Sequence, residues 1–76
     1  METREMTFGE RACGMSFNPG GREDVELIKR KFAEVVDMLN VHRIDANPEV
    51  GRMLSIAITE TQTAQMWAVK AITWNK

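Results

Sequence analysis

The chain has one cysteine, two prolines, no tyrosine and a single histidine among 76 residues. With Cys13 alone, an internal disulfide framework and a thiolate zinc site are both excluded. His42 has no second histidine and no nearby cysteine, so it reads as a structural or solvent-facing residue rather than a metal ligand or catalytic base. Charge of one sign is missing as well. Ten Lys and Arg oppose eleven Asp and Glu, a net charge of −1 that offers no broad field for duplex nucleic acid. A local phosphate pocket needs only two or three well-placed bases and stays possible. No stretch of eighteen apolar residues exists, and METREMTFGERACG lacks the apolar run of a signal peptide, so a soluble, cytoplasmic protein without a membrane partner is expected. The P-loop, the dinucleotide fingerprint, HExxH and any paired-carboxylate site are absent, and Ser55 has no histidine partner. Nucleophilic catalysis needs an activated nucleophile with an oriented base. The reading is therefore a non-enzyme with no cofactor and no metal.

What is present is helix. Hydrophobic residues make up 43% of the chain and charged residues 28%, the balance of a folded domain rather than a disordered one. At this size a single core barely suffices, and oligomerisation is a standard source of further burial. The organising stretch is Asn47 to Trp74. At helical spacing Val50, Leu54, Ala57, Thr61, Ala64, Ala68 and Ala71 form one stripe with alternating steps of four and three, the rhythm of a helix–helix contact. Most of these residues are small, which suits close backbone approach. Met53, Ile56, Ile58, Met66, Trp67, Ile72 and Trp74 are expected to project away from that stripe. One partner helix covers one side of such a rod, and the rest calls for further chains.

Upstream, residues 1–15 read as an arm with room for a short helical turn, on which Met6, Phe8 and Met15 are available for packing. SFNPGG at 16–21 is a turn whose glycines free backbone N–H groups for a ligand, or simply a helix entrance. Residues 23–40 form the first long helix, with Val25, Ile28, Phe32, Val35 or Val36, and Leu39 on one stripe. Glu23 and Asp24 suit its N-terminal dipole, and Lys29, Arg30 and Lys31 form a basic cluster of the kind that is usually a solvated face. Arg43 and His42 suit the C-terminal end, and Asn47 followed by Pro48 is a start signal for the second helix. A short link between two long helices implies an antiparallel hairpin. The expected fold is all-α: an N-terminal arm (1–15) and a helical hairpin (16–76) that assembles into a helical homo-oligomer.

Two residue sets fit ligand chemistry. The second long helix carries a polar file, Arg52, Ser55 and Thr59, then Thr61, Gln62, Thr63 and Gln65. Arg52, Ser55 and Thr59 share a face, so a guanidinium and two hydroxyls are available to one phosphate group. Equally, Arg52 pairs with Glu49 and the hydroxyls bond back to the preceding turn. The other set is Phe17 for stacking, the Asn18-Pro19-Gly20 turn for backbone donors and Lys29 for phosphate, the minimum kit for a small nucleotide. The plain alternative tucks Phe17 into the hairpin and leaves Lys29 solvated.

The combination of MSFNPGG, a helix carrying V-x-x-I-K, and SIAITETQTAQMWAVKAIT resembles the hairpin domain of phage anti-defence sponges, the anti-CBASS cyclic-oligonucleotide sponge and the related anti-Thoeris sponge, over about residues 12–74. The resemblance implies a homohexamer, a trimer of dimers, that sequesters cyclic di- and trinucleotide second messengers in the host cytosol and leaves them intact. It implies a dinucleotide site that pairs Phe17 with Lys29, where phenylalanine stands for the tyrosine of some relatives, and to these the Asn18, Pro19 and Gly20 turn is added as backbone donor. It implies a trinucleotide site on Arg52 and Thr59 with Ser55 between them. Cyclic ADP-ribose isomers, bound by anti-Thoeris relatives, rank lower for so short a chain. The rival reading is a structural or protein-interaction hairpin oligomer with no nucleotide ligand.

Overall fold

The computed structural model of the chain describes residues 5–18 and 20–74; Pro19 lies outside them. Within these residues the elements are three helices: α1 (Phe8–Ala12), α2 (Glu23–Arg43) and α3 (Pro48–Ile72).

Each helix begins for a local reason. Thr7 caps α1: its Oγ1 accepts from the Glu10 amide at 3.1 Å, and its own N–H donates to Glu10 Oε1 at 2.8 Å. This reciprocal box satisfies two amides that a helix start leaves without partners. Arg22 precedes α2 without a side-chain cap, and Glu23, Asp24 and Glu26 lie in the first turn against the positive end of the helix. Asn47 caps α3, with Oδ1 accepting from the Val50 amide at 2.9 Å and Pro48 in the first turn.

α2 and α3 pack as an antiparallel hairpin. At one end Arg43 Nη1 donates to Ser55 Oγ at 3.0 Å, and at the other Val25 and Lys29 share a concavity with Val69 and Thr73. The core is small: Cys13, Ala33, Val36 and Ile58, flanked by partly buried Phe8, Ala12, Phe32 and Leu39. Val36, not Val35, takes the inward position of α2.

Two expectations are overturned here. The face of α3 that meets α2 centres on Ile58 and Gln65, 4% and 5% exposed, not on the alanine stripe. Ile58 therefore points inward, while Ala64 and Ala71 of that stripe are exposed. The alternative of a solvated Lys29 fails too: it is 5% exposed, on the inner line of α2 between Val25 and Ala33, while Arg30 and Lys31 stay outside.

The N-terminal segment is pinned to α2 by polar bonds as well as packing. Asp37 accepts from the Gly9 amide and from Thr7 Oγ1, both at 2.7 Å. Gly9 lets the backbones meet, since a Cβ there would lie 2.2 Å from the Ala33 carbonyl oxygen. Arg43 lies over the Phe8 ring at 5.2 Å and donates to Asn40 Oδ1, so one guanidinium joins all three helices.

The result is a slab, 45 × 38 × 13 Å in Cα extent, little thicker than one helix. Its accessible surface is 5787 Å², against about 4,700 Å² for a compact monomer of this mass. Large apolar side chains stand exposed on it: Met53, Ile56, Trp67 and Trp74 on the outer face of α3, and Leu27, Met38 and Val41 on that of α2.

Candidate functional site

Residues 13–18 and 20–22 make the platform on which the site is built. Gly14, at φ 64°, turns the chain out of α1. A second turn closes at Gly21, φ 62°, whose amide donates to the Asn18 carbonyl at 2.9 Å. The Asn18 side chain braces that turn from within, donating to the Arg22 carbonyl at 2.9 Å and accepting from the Arg22 amide at 3.3 Å. Lys29 holds the whole loop to α2. Its ammonium donates to the Gly14 carbonyl at 3.0 Å and to the Phe17 carbonyl, and lies 5.5 Å from the centre of the Phe17 ring. The ring itself is 71% exposed rather than tucked into the hairpin.

Three neighbouring concavities result. Phe17, Asn18, Gly20 and Lys29 line one of about 230 Å³, together with Arg22, Val25, Val69 and Thr73. Arg52, Ser55 and Thr59 line another of about 350 Å³ with Ile56 and Glu60. Between them an open groove of about 660 Å³ separates the N-terminal segment from α3. It shares Phe17, Lys29 and Val69 with the first and Thr59 with the second, so the three run along one flank of α3. Each described residue of the two sets read from the sequence thus lies with its own set; Pro19 falls outside the described residues.

The side chains are in different states of commitment. Arg52 pairs with Glu49, Nη2 to Oε2 at 2.8 Å, as the plain reading of that face has it. Both groups are well exposed, and such a pair contributes about 0–1 kcal/mol, little hindrance to a phosphate that competes for the guanidinium. Ser55 accepts from Arg43, whereas Thr61, Thr63 and Thr73 bond back to the carbonyl four residues earlier. Burial, then the Asp37 carboxylate, pushes the Cys13 thiol above its ordinary range, with Lys29 pulling the other way, so Cys13 is a packing residue and not a nucleophile. Among the described residues no group of three His, Cys, Asp or Glu could hold a metal ion. No helix among them is long and apolar enough to cross a membrane.

The central groove adds Arg11 and Lys70, to which the sequence assigned no role. Arg11, Lys29 and Lys70 line it and no carboxylate does. Gln62 donates through Nε2 to the Ala12 carbonyl at 3.0 Å, and Gln65 lies at the groove floor. Their polarity within an apolar helix was the available signal. The role of Arg11 was not readable, because only the turn at Gly14 brings residues 11–17 over α3.

A family model described as the Acb2/Tad1 hairpin domain matches residues 10–73, a span that includes every residue lining the three concavities. The chain belongs to the Acb2/Tad1 hairpin-domain family. This is the family of anti-CBASS and anti-Thoeris sponges, whose general function is anti-defence and which are known as binding proteins rather than enzymes. No curated protein and no solved structure matches the chain. In this chain α1 adds a third wall to the helical pair, joined to α3 by the Gln62–Ala12 bond, and the groove opens between that wall and α3.

Proposed function

We propose that this chain sequesters cyclic di- and trinucleotide second messengers of bacterial defence, intact and in stoichiometric amounts. The observation that carries the reading is the grouping of side chains along α3. Phe17 with Lys29, and Arg52 with Ser55 and Thr59, occupy separate concavities on one flank of the same helix. An exposed ring beside an ammonium suits a base and its phosphate, and a guanidinium with hydroxyls on the same face suits a phosphodiester. Two ligand classes are then held at two places without competing for the same groups. Catalysis has no part in it, since retention needs only charge-assisted hydrogen bonds in partly dry pockets.

The working form is a homohexamer, a trimer of dimers, in the host cytosol. What supports assembly is the 13 Å thickness of the slab and the exposed Met53, Ile56, Trp67 and Trp74 on its outer face. An isolated protomer leaves that apolar face in water, and further copies cover it.

The test is native mass spectrometry with a panel of cyclic di- and trinucleotides, followed by recovery of the ligand after denaturation. Retention of unaltered ligand in multiples set by the subunit count is expected. Arg52→Ala should weaken the trinucleotide at least about tenfold and leave the dinucleotide within error. An oligomer that stays empty at micromolar ligand would leave only an interaction module, and a cleaved product would make the protein an enzyme.

A further inference from the structure

One polar group in the central groove is built in and left unused. Gln65 is 5% exposed on α3, yet its side-chain amide makes no hydrogen bond within the protein. That amide is not sealed off. Among the described residues no fully occluded side-chain nitrogen or oxygen lacks a partner, so the Gln65 donor and acceptor are reached through the groove that the residue lines. A carboxamide here presents a donor and an acceptor that Leu or Met at the same position would not, and in the free protein only water in the groove meets them. A ligand with the complementary acceptor and donor takes the place of that water.

We infer that Gln65 reads the base of a bound nucleotide, pairing its carboxamide with the N6–H and N7 of adenine, and so selects adenine over guanine. The inference rests on the sponge reading and sharpens it to a base preference. The groove has the size for one nucleotide, and Arg11, Lys29 and Lys70, with no carboxylate among the lining residues, favour an anion there. Guanine presents two acceptors on the corresponding edge and calls for a paired donor such as lysine or arginine. Lys29 already spends two of its three donors on the Gly14 and Phe17 carbonyls, and Lys70 lies over the Trp67 and Trp74 rings at 5.2 and 5.6 Å. Arg11 keeps donors beyond the Nη1 that bonds the Met6 carbonyl at 2.8 Å, so these cations are left to the phosphates. Gln62 has its amide donor on Ala12. The uncommitted adjacent donor and acceptor belong to Gln65, and adenine offers their complement.

The experiment is calorimetric titration of the full-length protein, in its native assembly, with cyclic di-adenylate, its 7-deaza-adenine analogue and cyclic di-guanylate. Wild type should bind cyclic di-adenylate roughly tenfold more tightly than the analogue, which lacks only the N7 acceptor. Gln65→Met, which keeps side-chain length, should abolish that difference and leave cyclic di-guanylate within about threefold. Equal binding of adenylate and analogue by wild type overturns the inference while the sponge reading stands. A wild type that binds none of the three overturns the inference together with the dinucleotide half of the sponge reading, and leaves the trinucleotide half to its own test. Because the analogue comparison uses unaltered protein, it decides the matter even where Gln65→Met fails to fold.

Discussion

Gly9 offers a case in which two elementary rules give opposite signs and the geometry decides between them. Helix propensity says Gly9→Ala stabilises, by at most about 1 kcal/mol. The packing says otherwise. A Cβ at position 9 would lie 2.2 Å from the Ala33 carbonyl oxygen and 2.9 Å from the Asp37 carboxylate. Ala33 belongs to the middle of α2 and cannot yield, so α1 has to withdraw by roughly 1 Å to reach ordinary contact. That movement stretches the two 2.7 Å bonds to Asp37 beyond hydrogen-bonding range and loosens Phe8 and Cys13 from the core. Bonds to a charged acceptor contribute about 1.5–3 kcal/mol each; here the Gly9 bond is partly buried and the Thr7 bond is exposed, so the low end applies. We take about 3 kcal/mol for the pair, and a net loss of about 2 kcal/mol once the propensity gain is subtracted. A domain of this length has about 4–11 kcal/mol in all, and the loss corresponds to a fall of roughly 8–16 °C in Tm. Urea unfolding followed by circular dichroism, at one fixed protomer concentration, measures it. Gly51→Ala is the matched control. Nothing lies within 4 Å of its added Cβ, and it should stabilise by about 0.5–1 kcal/mol. If both variants shift the midpoint upward, propensity outweighs the packing of α1 and this account of α1 is wrong.

Three further outcomes are expected. Lys29→Met keeps the buried stem but removes the donors to the Gly14 and Phe17 carbonyls, so the Phe17 amide should exchange with deuterium at least about tenfold faster; unchanged exchange would show that the loop holds itself. The Cys13 thiol, raised by burial, should react with iodoacetamide far more slowly in the native protein than in urea. Its folded-state pKa lies above the unfolded value, so its contribution is present below the ordinary thiol range and is lost as pH rises through the folded value; Cys13→Ala should flatten that alkaline decline. Asp24 shifts the other way, chiefly through its hydrogen bonds from Arg22. Its contribution is present above the ordinary carboxylate range and is lost as pH falls through the folded value, and an NMR titration should find its carboxyl ionising at lower pH in wild type than in Arg22→Ala.

What the sequence determined by itself is local. Asn47 and Pro48 set the start of α3 because one caps an amide and the other needs no donor. The period of Val25, Phe32, Val36 and Leu39 produced α2, and the short link between the helices made the pair antiparallel. The spacing of Arg52, Ser55 and Thr59 placed them on one face, because helix geometry alone dictates that. Tertiary structure decided which face of α3 turns inward. That helix is apolar on several sides, and burial has no direction of its own, so the alanine stripe and the Ile58–Gln65 face were both open to a partner. Ile58 prevailed where Cys13, Ala33 and Val36 form a pocket for a branched side chain, and all three lie outside α3 and its own pattern. Lys29 was likewise unreadable. A lysine among Arg30 and Lys31 looks solvated until the turn at Gly14 delivers two carbonyls to its ammonium, and no local pattern encodes where a backbone twelve residues away will return.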